Sequence, residues 1–359
     1  MPESACRDVL LAMFSAISRR VPGLALVVAV SVLAWIAERA LTAAVGHPTL
    51  EAIVLAILIG AIVRAFWSPP ALFAPGIAFA AGFLLELAIV LLGFGADLQQ
   101  FIKAGLPLVA SIVGVVVAAI VTGVAIGRAL GLSPVHALLV ACGNAICGNS
   151  AIAALAPVLG AKKDEVASAI AYTAVLGVVV ILCLPFLAPA FGLNDYQYGI
   201  LAGLTVYAVP QVIAAAYPVS LLAGNTATLV KLVRVLLLGP LIVTLSLRER
   251  NRARREHKAL AETPTHALVQ TGFGALVPWF VVGFMIAGAM RSAGAVSMPF
   301  VDSARDSARA LTVLAMAALG LNVDIHAIRK VGPKVAMTVT GSLAVMVTIA
   351  LVIVRWLPR

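Results

Sequence analysis

Apolar residues run along this chain in continuous blocks of the length that carries an α-helix across a bilayer, with short polar clusters between them. The blocks predict spans near 21–41, 49–67, 76–94, 106–128, 133–157, 165–190, 198–218, 223–247, 267–290, 303–321 and 334–356, about eleven in all. Pro69-Pro70, Pro75, Pro107, Pro134 and Pro218 punctuate the joins. The blocks do not alternate apolar with polar, so a transmembrane β-barrel is excluded. The expected fold is an all-α polytopic membrane protein with a single transmembrane domain over 21–359. Residues 1–20 form an amphipathic segment with no small-residue cleavage site after an apolar core, and are not read as a removed signal peptide.

One block breaks its own pattern. Ala141-Cys-Gly-Asn-Ala-Ile-Cys-Gly-Asn-Ser-Ala-Ile152 puts two glycines, two asparagines and a serine where a membrane helix should be most regular. The unit Cys-Gly-Asn occurs twice, five residues apart, and five residues advance an intact helix by about 500°. If Gly143, Asn144, Gly148, Asn149 and Ser150 serve one site, the helix must break between the units. Glycine lowers the cost of a break, and Asn and Ser satisfy backbone groups that it frees. Broken helices at mid-membrane line cavities, and in transporters they form the substrate site.

A second feature is an internal repeat. Leu92-Gly-Phe-Gly-Ala-Asp-Leu-Gln-Gln-Phe-Ile-Lys-Ala-Gly105 aligns with Leu319-Gly-Leu-Asn-Val-Asp-Ile-His-Ala-Ile-Arg-Lys-Val-Gly332. Gly93/Gly320, Asp97/Asp324, Lys103/Lys330 and Gly105/Gly332 are identical at one fixed offset. The copies end the third and tenth predicted spans, an odd separation, so they lie in opposite orientations. Inverted repeats of this kind are typical of secondary transporters.

Polar groups inside the other blocks supply candidates. Thr205, Tyr207, Pro210 and Gln211 interrupt the seventh span, where Pro210 removes a backbone donor and predicts a kink. Asn225, Lys231 and Arg234 lie in the eighth. Lys231 and Arg234, three residues apart, share a helix face, and they either snorkel to the interface or are buried for function. Together these predict an anion site, with the freed amides of a half-helix N-terminus, Asn144, Asn149, Ser150, Tyr207, Gln211 and Asn225 around the solute and Lys231 or Arg234 as countercharge. Glu86, the acid well inside a span, is the candidate for coupling to H⁺ or Na⁺.

Composition sharpens this reading. Hydrophobic residues make up 62% of 359 and charged residues 11%, with mean hydropathy +1.10. Polar stretches are too short to bury a core; the longest runs from Leu247 to Gln270, and its part 247–266 reads as a basic cytoplasmic loop. The net charge of +10 is assigned to loops facing anionic lipid rather than to nucleic acid. The distribution of Lys and Arg favours a cytoplasmic N-terminus. Cys6, Cys142, Cys147 and Cys183 have neither disulfide nor zinc spacing and read as packing residues, so no metal or cofactor is expected. His136, Ser150 and Cys147 raise an enzyme reading. It is set aside, because there is no Gly-x-Ser-x-Gly, His-Glu-x-x-His, Walker A or acidic pair. The Gly, Ala and Phe of the third span are the candidate surface for a homodimer.

The Cys142–Ala154 stretch resembles the YeiH-type family of bacterial inner-membrane proteins, known as sulfate exporters. Leu91-Leu-Gly-Phe94, Gln211-Val-Ile-Ala-Ala215, Ala227-Thr-Leu-Val-Lys231-Leu-Val-Arg234 and Ala317-Ala-Leu-Gly-Leu-Asn322 are similar too, and the likeness runs from residue 50 onward. It implies a two-repeat bundle with crossing broken helices, as in bile-acid symporters and cation–proton antiporters, and export of a small anion such as sulfate or an organic sulfonate. The chain departs from that pattern. Family members commonly carry a His and an acid where it has Thr205–Gln211, Gly-Ala-Ser at Gly148–Ser150, and a base at Glu86. A cation-coupled symporter of an organic solute is the alternative, and a channel or membrane enzyme the next.

Overall fold

The structure, a computed structural model, describes residues 2–45, 51–96, 98–256, 278–323 and 332–356, with side chains over 18–44, 51–96, 105–249, 278–323 and 332–356. Every element among the described residues is helical. Among the described residues, six stretches are long and apolar enough to cross a membrane: Ser18–Ala44, Ala71–Gly93, Gly105–Ala129, Lys163–Phe191, Leu221–Glu249 and Pro333–Trp356. Several predicted spans, Ala71–Gly93 among them, are short or are built of separate pieces. Residues 49–67 yield a short helix, α2 (Ala52–Phe66), after α1 (Pro2–Val45), which runs unbroken through Pro22. The segment near 76–94 is α3 (Ala74–Phe79), a π-helical turn over Ala80–Leu84, and α4 (Leu85–Gly93).

Next come α5 (Leu98–Ala129), kinked at Gly105, then α6 (Pro134–Ala145), α7 (Asn149–Leu159), α8 (Lys163–Cys183) and the short α9 (Leu187–Phe191). The predicted span 198–218 is two helices, α10 (Asp195–Thr205) and α11 (Val209–Ala216). It is followed by α12 (Leu221–Leu236) and α13 (Leu238–Glu256). The stretch read as a basic loop at 247–266 is helix as far as Glu256, a continuation of α13; the rest lies outside the described residues. The last three helices are α14 (Trp279–Ser292), α15 (Met298–Leu321) and α16 (Pro333–Trp356).

The chain divides into two compact units. Unit 1 holds residues 1–94 and 296–325, and unit 2 holds 95–295 and 326–359. Both copies of the internal repeat, 92–105 and 319–332, straddle a point where the chain passes from unit 1 to unit 2. Asp97, Lys103, Asp324 and Lys330 fall outside the described side chains.

Small residues set the helix spacing within each unit. In unit 1 a Cβ added to Gly60 on α2 would stand 2.6 Å from Ala317 O and 3.0 Å from Gly320 Cα on α15, so these two backbones touch. In unit 2, Gly123 and Gly127 of α5 face Ala141 and Ala137 of α6, each 2.9 Å from where a new Cβ would sit. On α10, Gly199 and Gly203 do the same against α12, where added Cβ atoms would meet Ala223 O at 2.7 Å and Ala227 O at 2.6 Å. With no hydrophobic drive between helices in lipid, such close approach is what packing them requires.

Candidate functional site

Unit 2 contains two interrupted helices, and the interruptions arise by different means. Helix α6 starts cleanly: the Ser133 hydroxyl accepts from His136 N at 3.0 Å, and Pro134 sits in the first turn, where its missing N–H costs nothing. It ends when Ile146 leaves helical geometry and the amide of Gly148 turns back to Gly143 O, 2.8 Å away. Gly148 holds φ +64° and ψ −123°, a conformation that only glycine adopts without strain, and its carbonyl then accepts from Ile152 N to begin α7. One glycine therefore closes the first half-helix and starts the second.

The second interruption uses no glycine. Helix α10 opens on a capping box in which Asn194 and Gln197 each bond the other's backbone amide. It ends at Thr205, after which Val206, Tyr207 and Ala208 are not helical. Pro210 does not kink a continuous helix, as its position in the sequence predicts. It lies in the first turn of α11, and the side chain of Gln211 accepts from Ala208 N at 3.1 Å to close that turn.

Helix α12 brings its two cations to the C-terminal ends of both half-helices. Lys231 and Arg234 are fully buried, not snorkelled to an interface. Lys231 Nζ donates to Ile146 O and, at 2.8 Å, to Val206 O. Arg234 donates through Nε and Nη2 to Ala145 O (3.1 and 2.6 Å), through Nη2 to Asn144 O (3.3 Å), and through Nη1 to Gly203 O (2.8 Å) and Val206 O (3.3 Å). These are the carbonyls that the end of a helix leaves without partners, and the end carries the negative pole of the helix dipole. No carboxylate among the described residues forms an ion pair with either cation.

The remaining candidates are distributed around this junction. Tyr207 packs against Gly148, so the two interruptions touch: a Cβ on Gly148 would lie 3.3 Å from Tyr207 Cβ. Tyr207 is 1% exposed, and its hydroxyl has no hydrogen-bond partner among the described residues. Asn144 is buried and points away toward α16, donating to Ser342 Oγ (2.6 Å) and Val339 O (3.2 Å), while its Oδ1 has no hydrogen-bond partner among the described residues. Asn149 faces α8, where its Oδ1 accepts from Thr173 at 2.9 Å. The two Cys-Gly-Asn units thus address different neighbours. Asn149 and Ser150 are exposed at the N-terminus of α7, and the amides of that first turn have no carbonyl one turn earlier to bond.

Two predicted residues of unit 2 are engaged outside the junction. Gln211 is occupied with its own helix cap and lies against Gly177 of α8. Asn225 accepts from the Tyr217 hydroxyl at 2.8 Å and donates to Gly95 O at 3.0 Å. Glu86 belongs to unit 1, on the first turn of α4 directly after the π-helical turn. Cys142 and Cys147 are buried free thiols, and among the described residues no group of His, Cys, Asp and Glu is arranged to hold a metal. Sequence reasoning missed Thr173, Ser342 and the carbonyl of Gly203. Only Gly203 had a readable signal: with Gly199 it forms a pair of small residues one turn apart.

Comparison with known proteins places the chain among membrane proteins. The family described as conserved hypothetical protein 698 matches residues 22–339. A UPF0324 membrane protein of Bradyrhizobium diazoefficiens is 45% identical over 342 residues, covering 95% of this chain and 94% of that one. One from Brucella melitensis is 46% identical, covering 96% and 93%. A more distant one, from Bacillus cereus, is 36% identical and covers 79% and 77%.

Proposed function

We propose that this chain, which belongs to the conserved hypothetical protein 698 family of membrane proteins, is a secondary transporter of a small anion. One observation carries the proposal: Lys231 and Arg234 are fully buried, and no described carboxylate pairs with them. Burying a charge is costly unless something of opposite sign compensates it. Each half-helix C-terminus offers about half a negative charge and each N-terminus about half a positive one. The two ends of α6 and α10 therefore offset about one of the two positive charges, and the starts of α7 and α11 restore it. The junction is left roughly two charges positive, a field that suits a small oxyanion such as sulfate or an organic sulfonate.

In this reading the solute lies against the first-turn amides of α7, with Asn149, Ser150 and the spare hydroxyl of Tyr207 as neutral donors. Lys231 and Arg234 supply the field through the helix ends they hold. The membrane is the bacterial inner membrane, with the N-terminus in the cytoplasm. About eleven spans containing an inverted repeat provide alternating access, the bundle that holds Gly143–Ser150 moving against the rest. The passage of the chain from unit 1 to unit 2 within both repeat copies supports that arrangement.

The test is uptake of labelled sulfate or a short alkyl sulfonate into proteoliposomes of the purified protein. Wild type is expected to accumulate the anion, and Lys231→Met to lose uptake while remaining folded. Undiminished uptake by Lys231→Met removes the countercharge role. A second reading, proton-coupled transport of an organic solute, draws on Glu86 beside a π-helical turn, a distortion frequent at functional sites. In that case Glu86→Gln is the damaging change and the anion field is incidental.

A further inference from the structure

The carbonyl ends of two half-helices meet at one point, and the sequence decides what fills it. Facing C-terminal carbonyls have no proton to offer and carry a negative pole; in broken-helix transporters such ends coordinate a free Na⁺ or H⁺. Here Ile146 O comes from the end of α6 and Val206 O from the end of α10, and both accept from the same nitrogen, Lys231 Nζ. The side chain is fully buried, and both of its hydrogen bonds go to main-chain oxygens. One turn further along α12, Arg234 takes the next carbonyls back along each half-helix, Ala145 O and Asn144 O on one and Gly203 O on the other. Among the described residues no carboxylate pairs with Lys231 or Arg234, so main-chain oxygens are the acceptors that hold the cation here.

We infer that this junction is a monovalent-cation site whose occupant is the protein's own Lys231 ammonium, so that the wild-type protein binds no free Na⁺ there and a protein truncated at Lys231 gains a site for one. Covalent tethering explains why no carboxylate is needed: the cation cannot leave, so its affinity does not have to come from a countercharge. The inference concerns the cation that holds the half-helices, and it stands apart from the identity of the transported solute.

The experiment compares melting temperatures of purified wild type, Lys231→Ala and Lys231→Met in NaCl and in N-methyl-D-glucamine chloride at equal ionic strength, so that chloride is constant. Wild type should melt at the same temperature in both salts. Lys231→Ala, which leaves the carbonyls facing an open space, should melt lower. It should then recover saturably, by about 3 °C or more between 1 and 100 mM Na⁺, because a cation bound only by the folded form stabilises it. Methylammonium chloride should replace Na⁺, since it restores the lost group itself. Lys231→Met fills the space with an apolar chain and should be indifferent to either cation, which separates a created site from a general salt effect.

A folded Lys231→Ala protein that ignores both Na⁺ and methylammonium overturns the inference, as does a wild-type protein that melts higher in Na⁺. Should Lys231→Ala not survive extraction in N-methyl-D-glucamine, its recovery as folded protein in Na⁺ or methylammonium is the expected result, and no recovery in either overturns the inference. Cation rescue of Lys231→Ala alongside failed sulfate uptake by wild type leaves this inference standing and the anion reading refuted.

Discussion

Removing the guanidinium of Arg234 should loosen the α6–α7 interruption more than any other single change. In Arg234→Met the carbonyls of Asn144, Ala145 and Gly203 lose the N–H groups that reach them at 2.6–3.3 Å, in a place with no exposure to solvent. A buried acceptor left unsatisfied costs about 1–3 kcal/mol, so three give roughly 3–9 kcal/mol. Against this, the variant no longer buries a charge, which returns several kcal/mol. The net loss is about 3 kcal/mol, which for a chain of this size lowers the melting temperature by about 6 °C. Arg234→Lys keeps the charge without the planar fork and should fall between the two.

A local readout makes this specific. Cys147 lies within the interruption and is buried, whereas Cys183 is exposed. In a Cys6→Ser, Cys142→Ser, Cys183→Ser background, Arg234→Met should let maleimide reach Cys147 about tenfold faster, the change expected when roughly 1.4 kcal/mol is removed from local opening. An Arg234→Met protein that melts within about 1 °C of wild type and alkylates no faster would show that the guanidinium does not hold the half-helices.

Further outcomes follow from single positions. Gly148→Ala must place a side chain at φ +64° beside Tyr207, so it should cost about 1–3 kcal/mol and shift the melting curve; Gly143→Ala would set its methyl 2.6 Å from Cγ1 and 2.7 Å from Cδ1 of the fully buried Ile152 and should likewise lower the melting temperature. Gly203→Val puts branched atoms against Ala227 O and Val230, so it should push α10 off α12, lower the yield of folded protein and expose Cys147 to maleimide, because Lys231 and Arg234 then lose their reach. Gly320→Leu, in unit 1, would meet the backbones of Ile57 and Ala61 and should give little folded protein by size-exclusion chromatography, whereas replacement of the exposed Leu106 by Ala should be silent. Tyr207→Phe removes a buried hydroxyl that has no partner, so it should not destabilise the protein; in the anion reading it should still raise the KM for uptake.

Much of the architecture is legible along the chain because its causes are local. Apolar runs of a given length must become helices in lipid, since no other structure satisfies the backbone there, and the helical class follows from composition and run length. The interruption at Ile146–Gly148 was visible because a glycine that must take a positive φ leaves its mark in the sequence. The second interruption was legible only as polar residues around Pro210, and its form was misread. Whether a proline kinks a helix or starts one depends on where the preceding carbonyls find donors, and those donors lie on another helix.

What the sequence determined by itself was a helical membrane protein with one helix that had to break between Gly143 and Asn149, and with two cations on one face of a later helix. Only the tertiary structure decided what the cations do. Their partners are carbonyl oxygens 25 to 90 positions away, and every residue carries such an oxygen, so nothing in the identity of Asn144, Ala145, Ile146, Gly203 or Val206 marks it as a ligand. It is the close approach of α10 to α12, permitted by Gly199 and Gly203, and the break at Gly148 that bring these oxygens to one place.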